Sequence, residues 1–164
     1  MTDFKNTAAR FLASGFYISY IPAALTRSKK FTGSGLFGTA LGLLLAPLLP
    51  ADPLSLLVFL ILFFFFAVWT AGIAETSYGV HDDPRIVIDE ILGYWVAIAF
   101  LDKTFFNLAA AFVFFRTLDT LKPWPIGKID RMASGGFGII VDDIAAAVAA
   151  NLLVRVLTLI AIAL

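Results

Sequence analysis

The sequence predicts an all-α fold: a polytopic membrane helix bundle of about five membrane helices, two of them short, plus an interfacial helix at the N-terminus. Three observations carry this. The 164-residue chain is 60% hydrophobic and only 15% charged, against about 25% charge in an ordinary soluble domain, and its mean hydropathy is +0.93. The charge deficit is uneven, because windows of 19 and 21 residues carry none, close to the roughly 20 apolar residues that cross a bilayer core. Thirteen of the 24 charged residues gather in two polar islands, HDDPRIVIDE (His81 to Glu90) and FRTLDTLKPWPIGKIDRMASGGFGIIVDD (Phe115 to Asp143). Residues 1–164 are read as a single membrane-embedded domain, since no polar extension is long enough to build a second core.

Composition also excludes functions. The formal net charge is zero, so no basic surface for nucleic acid is implied. There is no cysteine, which removes disulfides, thiolate zinc sites and a cysteine nucleophile. The single histidine, His81, leaves no room for a multi-histidine metal site or a two-histidine phosphatase mechanism. Any divalent metal must sit on carboxylates and other oxygens, which suits magnesium, calcium or manganese. Met1 to Arg10 is mixed polar with no apolar run and cleavage site after it, so no cleavable signal peptide is expected.

In chain order, residues 4–26 are apolar but interrupted by Ser14, Gly15 and Pro22, as in an interfacial or partly inserted helix. Arg27, Lys29 and Lys30 follow as a basic cluster. Gly33 to Ala51 is uncharged for 19 residues, enough for a first crossing. Its Gly38 and Gly42 suit close helix packing, while Gly33 and Gly35 suit a loop near a site. Leu54 to Ala74, uncharged for 21 residues, is the clearest span, with Glu75 ending it. Ile91 to Phe115 is apolar on both sides of Asp102–Lys103. As one helix it would bury an ion pair near the bilayer centre, which is costly. As two helices, Pro84 to Leu101 and Thr104 to Leu118, it places the pair in a turn, with arms of about 22–27 Å at 1.5 Å per residue. Gly138 to Leu164 is the last helix, with Asp142 and Asp143 in its first turns and Arg155 able to snorkel to the far interface.

Charge placement supports the two-helix choice. With Arg27, Lys29 and Lys30 inside and five crossings, Arg85, Arg116, Lys122, Lys128 and Arg131 all fall inside as well. Only Lys103 among the loop cations is misplaced, so the positive-inside rule is satisfied. This topology is N-in, C-out, and it brings both polar islands to the cytoplasmic face.

The first island crowds Asp82, Asp83, Asp89 and Glu90 near a helix start, with Pro84 suited to the first turn. Acids there favour the positive end of the helix dipole, which accounts for Asp82 or Asp83. Asp89 and Glu90 lie deeper, at the edge of the apolar zone, where carboxylates are expensive unless they bind a cation or partner. In the second island Arg116, Asp119 and Lys122 recur at intervals of three and share a helix face; an Arg116–Asp119 salt bridge with a snorkelling lysine is the plain structural account. Pro123 and Pro125 stop that helix, and Trp124 suits the headgroup belt. Gly135 and Gly136 precede a helix whose backbone N–H groups can approach a phosphate, although glycines also simply connect helices. Asp142–Asp143 heading a membrane helix needs compensation. Together the islands suit a hard divalent cation that assists phosphoryl transfer, with Arg116 and Lys122 holding phosphate oxygens. Their level at the headgroups points to a phospholipid substrate.

These residues carry a resemblance to a known family. IVIDEILG (Ile86 to Gly93), FRTLDTLKPWPI (Phe115 to Ile126) with Asp130 after it, GGFGIIVDD (Gly135 to Asp143) and GVHDD (Gly79 to Asp83) together resemble phosphatidylglycerophosphatase A. Two departures stand out. The N-terminal glycine motif is reduced to SGLFGT (Ser34 to Thr39), without its proline, and Ala146–Ala147 replaces the usual Ala-Gly after the acid pair. The resemblance implies a phosphatase that converts phosphatidylglycerophosphate to phosphatidylglycerol, dependent on magnesium (Mg2+), in the bacterial inner membrane with its site facing the cytoplasm. It makes Asp89, Glu90, Asp142, Asp143 and, more weakly, Asp82 candidate metal ligands. Asp89, Arg116, Asp119 and Lys122 become candidate catalytic residues, the last three through phosphate binding and proton handling. Lys128, Asp130 and Arg131 become candidates for the headgroup entrance, although Lys128 and Arg131 are equally explained as topology-setting charges.

A different class remains as an alternative: a cation or proton transporter whose carboxylates line a permeation path. That reading requires acids at mid-membrane depth, whereas these cluster at helix ends on one side. A lipid phosphotransferase is disfavoured by the absence of the CDP-alcohol signature.

Overall fold

The computed structural model describes residues 2–25, 33–132 and 134–163, and among these every regular element is helical. The basic cluster Arg27, Lys29 and Lys30 lies outside the described residues. The expected N-terminal helix is two: α1 (Thr2–Ala13) and α2 (Tyr20–Leu25). The break falls where Gly15, Phe16 and Tyr17 all take left-handed φ angles of 60–65°. Gly15 is needed there twice over, since a Cβ on it would lie 3.0 Å from Leu41 and 3.2 Å from Val87. Helix α1 lies on α4 (Pro53–Tyr78), with Arg10 Nε donating to Ser77 Oγ at 2.7 Å.

The first expected crossing contains α3 (Ser34–Leu45) and a short 3-10 turn at Ala46–Leu48. Gly38 and Gly42 do seat a neighbouring helix: a Cβ on Gly38 would lie 2.8 Å from Val87 Cβ, and one on Gly42 would lie 3.2 Å from Ile91 O. Close approach also lets Trp95 Nε1 donate to the Gly42 carbonyl at 2.8 Å.

Helix α4 starts as its sequence dictates. Asp52 caps it by accepting from Ser55 N at 2.8 Å, and Pro53 occupies the first turn. It runs through Glu75 to Tyr78 and ends at Gly79, whose φ is 70°, so Glu75 is within its last turn and does not end it. Asp102 and Lys103 do lie in a turn between two helices, α5 (Ile88–Ala97) and α6 (Phe105–Leu121). Thr104 caps α6 through Asn107 N at 3.2 Å. Helix α5 is shorter than expected and starts later. Asp82, Asp83 and Pro84 precede it, and Asp89 and Glu90 occupy its first turn. The cause is local: the Asp83 carboxylate takes the Arg85 backbone N–H at 3.0 Å, and the Asp83 carbonyl takes Ile86 N at 2.8 Å, closing a turn instead of a helix. A short α7 (Ile126–Met132) follows, then α8 (Gly135–Ala163), which packs on α4, α5, α6 and α7.

The starts of α3, α5 and α8 and the end of α6 converge on one cavity. The segments around Leu49–Pro53 and Ile98–Lys103 converge on another, so successive long helices alternate in direction. At that second end the carbonyls left over by α5 are satisfied from α8. Asn151 Nδ2 donates to Ala97 and Ala99 at 2.9 Å, and Arg155 reaches Phe100 O at 3.2 Å, its charge set at the negative end of the helix dipole. Tyr94, Phe115, Leu92, Ile140 and Val154 are fully buried between the helices.

Among the described residues, two helical segments are long and apolar enough to cross a membrane, Pro53–Tyr78 and Gly135–Ala161, with mean hydropathies of 2.7 and 2.2. Only 28% and 22% of their most apolar windows are buried, unlike the core helix of a soluble protein. Their apolar surface faces outward, with Leu62, Phe65 and Leu159 64%, 64% and 68% exposed. At 12, 10 and 17 residues, α3, α5 and α6 are each shorter than an unaided crossing requires.

Candidate active site

The polar cavity has a volume of about 470 Å³. Both polar islands meet in it. Helix α5 contributes Asp89 and Glu90, α6 contributes Arg116, Asp119 and Thr120, Lys122 follows at the end of α6, and α8 contributes Ile139, Asp142 and Asp143. Asp82 and the start of α3 complete the wall. Asp89 and Glu90 reach it because α5 begins at Ile88, which puts their side chains at its N-terminal end. Asp142 and Asp143 reach it about two turns into α8, where burial is nearly complete at 4% and 3% exposure.

Two groups of three carboxylates can each bring one oxygen within 4.8 Å of the others: Asp89, Glu90 and Asp143, and Asp119, Asp142 and Asp143. Asp89 Oδ1, Glu90 Oε2 and Asp143 Oδ2 are buried and have no hydrogen-bond partner among the described residues. Anionic oxygens are not left so in an apolar surrounding without compensation, and an all-oxygen donor set suits a hard cation such as magnesium. The residues present therefore fit the metal that the resemblance implies.

The cations stand beside this acid cluster. Arg116 Nη1 lies 2.8 Å from Asp119 Oδ2, 3.4 Å from Thr39 Oγ1 and 3.7 Å from Glu90 Oε1. The Arg116–Asp119 salt bridge expected from spacing is thus present, and it faces the cavity. Lys122, in left-handed conformation with φ 41°, places Nζ 2.6 Å from Asp142 Oδ2 and 2.5 Å from Asp130 Oδ1.

Other candidates lie elsewhere. Asp82 lines the cavity but is exposed and belongs to neither carboxylate group. Asp130 touches the site through Lys122, whereas Lys128 and Arg131 are exposed on α7 and outside the cavity wall. Gly135 and Gly136 are also outside that wall. Gly136 packs on α4: a Cβ there would lie 2.1 Å from Val68 O and 2.6 Å from Gly72 N. His81 pairs with Glu75, whose hydrogen bond raises its pKa above the ordinary imidazole value.

Asp83 has a separate task. Its carboxylate holds Arg85 by two bonds of 2.7 Å, and the guanidinium lies 3.9 Å from the centre of the Tyr78 ring. Burial pushes the Asp83 pKa up, but the Arg85 hydrogen bonds and charge outweigh it, and the carboxyl sits below its ordinary value.

The sequence reading did not single out Thr39 or Ser34. Thr39 is fully buried, donates to Gly35 O at 2.9 Å and meets Arg116. Ser34 is buried in the cavity wall. Their signal lay in SGLFGT, whose small residues let α3 approach the acids.

This arrangement defines a class: a helical protein, with two helices apolar enough to cross a membrane, whose acidic, cation-lined cavity suits phosphate chemistry. The family model for phosphatidylglycerophosphatase A matches residues 11–158, and the chain belongs to that family, and so to the phosphatases. It is 36% identical to phosphatidylglycerophosphatase A of Haemophilus influenzae over 124 residues, 75% of each chain. It is 49% identical to phosphatidylglycerophosphatase A of Escherichia coli over 71 residues, which span 43% of this chain and 41% of that protein. A Bacteroides thetaiotaomicron protein named provisionally as a phosphatidylinositol-3-phosphatase is 34% identical over 99 residues, 58% of this chain and 61% of that one. No solved structure gives a significant match. The transporter alternative gains no support, since the acids gather at one end of the bundle and the matched family is one of phosphatases.

Proposed function

We propose that residues 1–164 form one membrane-embedded phosphatase domain that hydrolyses phosphatidylglycerophosphate to phosphatidylglycerol and inorganic phosphate, with magnesium as cofactor. The observation that carries this is the meeting of unpartnered buried carboxylate oxygens on Asp89, Glu90 and Asp143 with Arg116 and Lys122 in one cavity. Asp89, Glu90 and Asp143 would hold the metal, with Asp82 at the rim, while Asp142, the fourth candidate ligand, holds Lys122 at 2.6 Å. Held there, magnesium would supply a lowered pKa for bound water and charge neutralisation for the transferring phosphoryl group. Arg116 and Lys122 orient the phosphate oxygens, Arg116 by its planar fork. Water adds its oxygen to phosphorus as the phosphorus–oxygen bond to the glycerol carbon breaks, and Asp119 accepts the water proton and relays one to the leaving alkoxide. Asp130 steadies Lys122, and Lys128 and Arg131 on α7 attract anionic headgroups. Gly135 and Gly136 start α8, and the close packing of Gly136 on α4 sets where Asp142 and Asp143 enter the cavity.

The reading extends to topology. Five crossings, N-in and C-out, include α3 and the α5 and α6 arms as short spans in a locally thinned bilayer. They put the cavity at the cytoplasmic face of the bacterial inner membrane, following the placement of lysine and arginine. The test is phosphate release by purified protein in detergent from phosphatidylglycerophosphate, phosphatidic acid and phosphatidylinositol 3-phosphate, with and without magnesium. Fastest release from phosphatidylglycerophosphate, lost on chelation, is expected; no release from it under any condition overturns the assignment.

A further inference from the structure

The two carboxylate groups share Asp143 but differ in how they are satisfied. In the Asp89–Glu90–Asp143 group, Asp89 Oδ1, Glu90 Oε2 and Asp143 Oδ2 accept no hydrogen bond from the described residues. Asp89 and Asp143 are only 7% and 3% exposed, so bulk water does not solvate these oxygens, and unpaired charge there is strongly unfavourable. Arg116 does not relieve it, because its approach to Glu90 is to the other oxygen, at 3.7 Å, beyond hydrogen-bond length.

In the Asp119–Asp142–Asp143 group the two unshared members already hold cations. Arg116 Nη1 is 2.8 Å from Asp119 Oδ2, and Lys122 Nζ is 2.6 Å from Asp142 Oδ2. The lysine is also fastened from its other side, 2.5 Å from Asp130 Oδ1 on α7. A metal ion entering this group would have to displace an ammonium held by two carboxylates.

We infer that, without lipid phosphate, the protein binds one divalent cation, at Asp89, Glu90 and Asp143, and that Lys122, with Arg116, occupies the place of a second. Three carboxylates from α5 and α8 supply hard oxygen ligands, and water completes the coordination of a magnesium- or manganese-sized ion. The incoming phosphate then meets one metal ion and two protein cations. This inference rests on the phosphatase reading only in taking the cavity as the reaction site.

The test is manganese binding to the full-length protein in lipid-free detergent micelles, with free and bound ion read by electron paramagnetic resonance. One ion per chain, with the spectrum of an isolated ion, is expected; two tightly bound, spin-coupled ions in the unaltered protein overturn the inference. Asp89→Asn should weaken binding by at least about 10-fold, the least that loss of even an outer-shell partner costs. Asp142→Asn should weaken it far less, and the reverse order overturns the assignment. Lys122→Met should admit a second, coupled ion, and a stoichiometry still at one overturns the role of the lysine. Circular dichroism checks that each variant is helical, and Glu90→Gln carries the same expectation if Asp89→Asn does not fold. Binding is read without lipid, so a protein that binds one manganese ion here but releases no phosphate from any lipid overturns the phosphatase reading and leaves this site standing.

Discussion

A methyl group on Gly35 would lie 2.2 Å from the Glu90 carboxylate oxygen Oε1, and 2.7 Å from Arg116 Nη2. The first turn of α3 therefore passes directly over the acid–cation cluster, and only hydrogen fits between. Both atoms are at the ends of side chains that can swing away. Gly35→Ala should fold with little change in thermal midpoint while displacing Glu90 and Arg116 from their working positions. A displacement of about 1 Å in a catalytic constellation costs about 100-fold in rate. Phosphate release should fall by about that factor, and a variant of normal activity would show that the close approach has no part in the chemistry.

Gly136→Ala should fail for the opposite reason. Its added carbon would meet backbone, Val68 O at 2.1 Å and Gly72 N at 2.6 Å, and backbone does not rotate aside. Helix α8 would have to shift from α4, at a cost of about 1–3 kcal/mol or more for overpacking. A lowered thermal midpoint in detergent is expected, with activity lost in proportion to folded protein. A catalytic defect at unchanged stability would instead mark this glycine as part of the phosphate site.

Asp143→Asn should abolish magnesium-dependent phosphate release, because Asp143 belongs to both carboxylate groups. The fold should persist, since the substitution removes a buried negative charge whose Oδ2 has no partner. Magnesium at about 100 times its dissociation constant should stabilise the unaltered protein by about 2.7 kcal/mol, seen as a raised thermal midpoint. That increment should disappear in Asp143→Asn and on chelation. Retention of the full increment in the variant would place the metal elsewhere.

The Asp83–Arg85 pair should make stability depend on acidity. The folded pKa of Asp83 lies below its ordinary value, so its contribution is complete above the unfolded value of about 3.9 and is lost as pH falls through the lower, folded one. Asp83→Asn should destabilise by about 1–3 kcal/mol at neutral pH, the scale of hydrogen bonds to charged groups, reduced because Arg85 is 35% exposed. The gap between variant and unaltered protein should narrow as the pH falls below about 3.9, as measured by thermal unfolding across pH. A gap that widens in acid would contradict the assignment.

Much of the architecture was legible in the residue order. The uncharged window from Leu54 to Ala74 lies within α4, which runs on to Tyr78, and the Asp102–Lys103 break falls between α5 and α6, because capping and hydropathy act over a few residues. The late start of α5 was not legible. Asp82 to Arg85 has the composition of a helix start, but the Asp83 side chain closes the turn onto Arg85 first. The α3 motif was also hard to weigh, since SGLFGT reads as packing or as a site, and in Gly35 and Thr39 it does both.

Residue type and spacing determined that this chain is helical, with two stretches apolar enough to cross a membrane, and that 13 of its 24 charged residues form two islands. Those properties follow from local charge, hydropathy and turn chemistry. Tertiary structure decided which groups within the islands are spoken for. Asp119 and Asp142 have cations while Asp89 and Asp143 keep unpartnered oxygens, and Gly136 faces α4 while Gly35 faces the site. Those outcomes depend on how α3, α5, α6 and α8 cross, and ångström distances between residues far apart in the chain are set by close packing of helices, which no local pattern encodes.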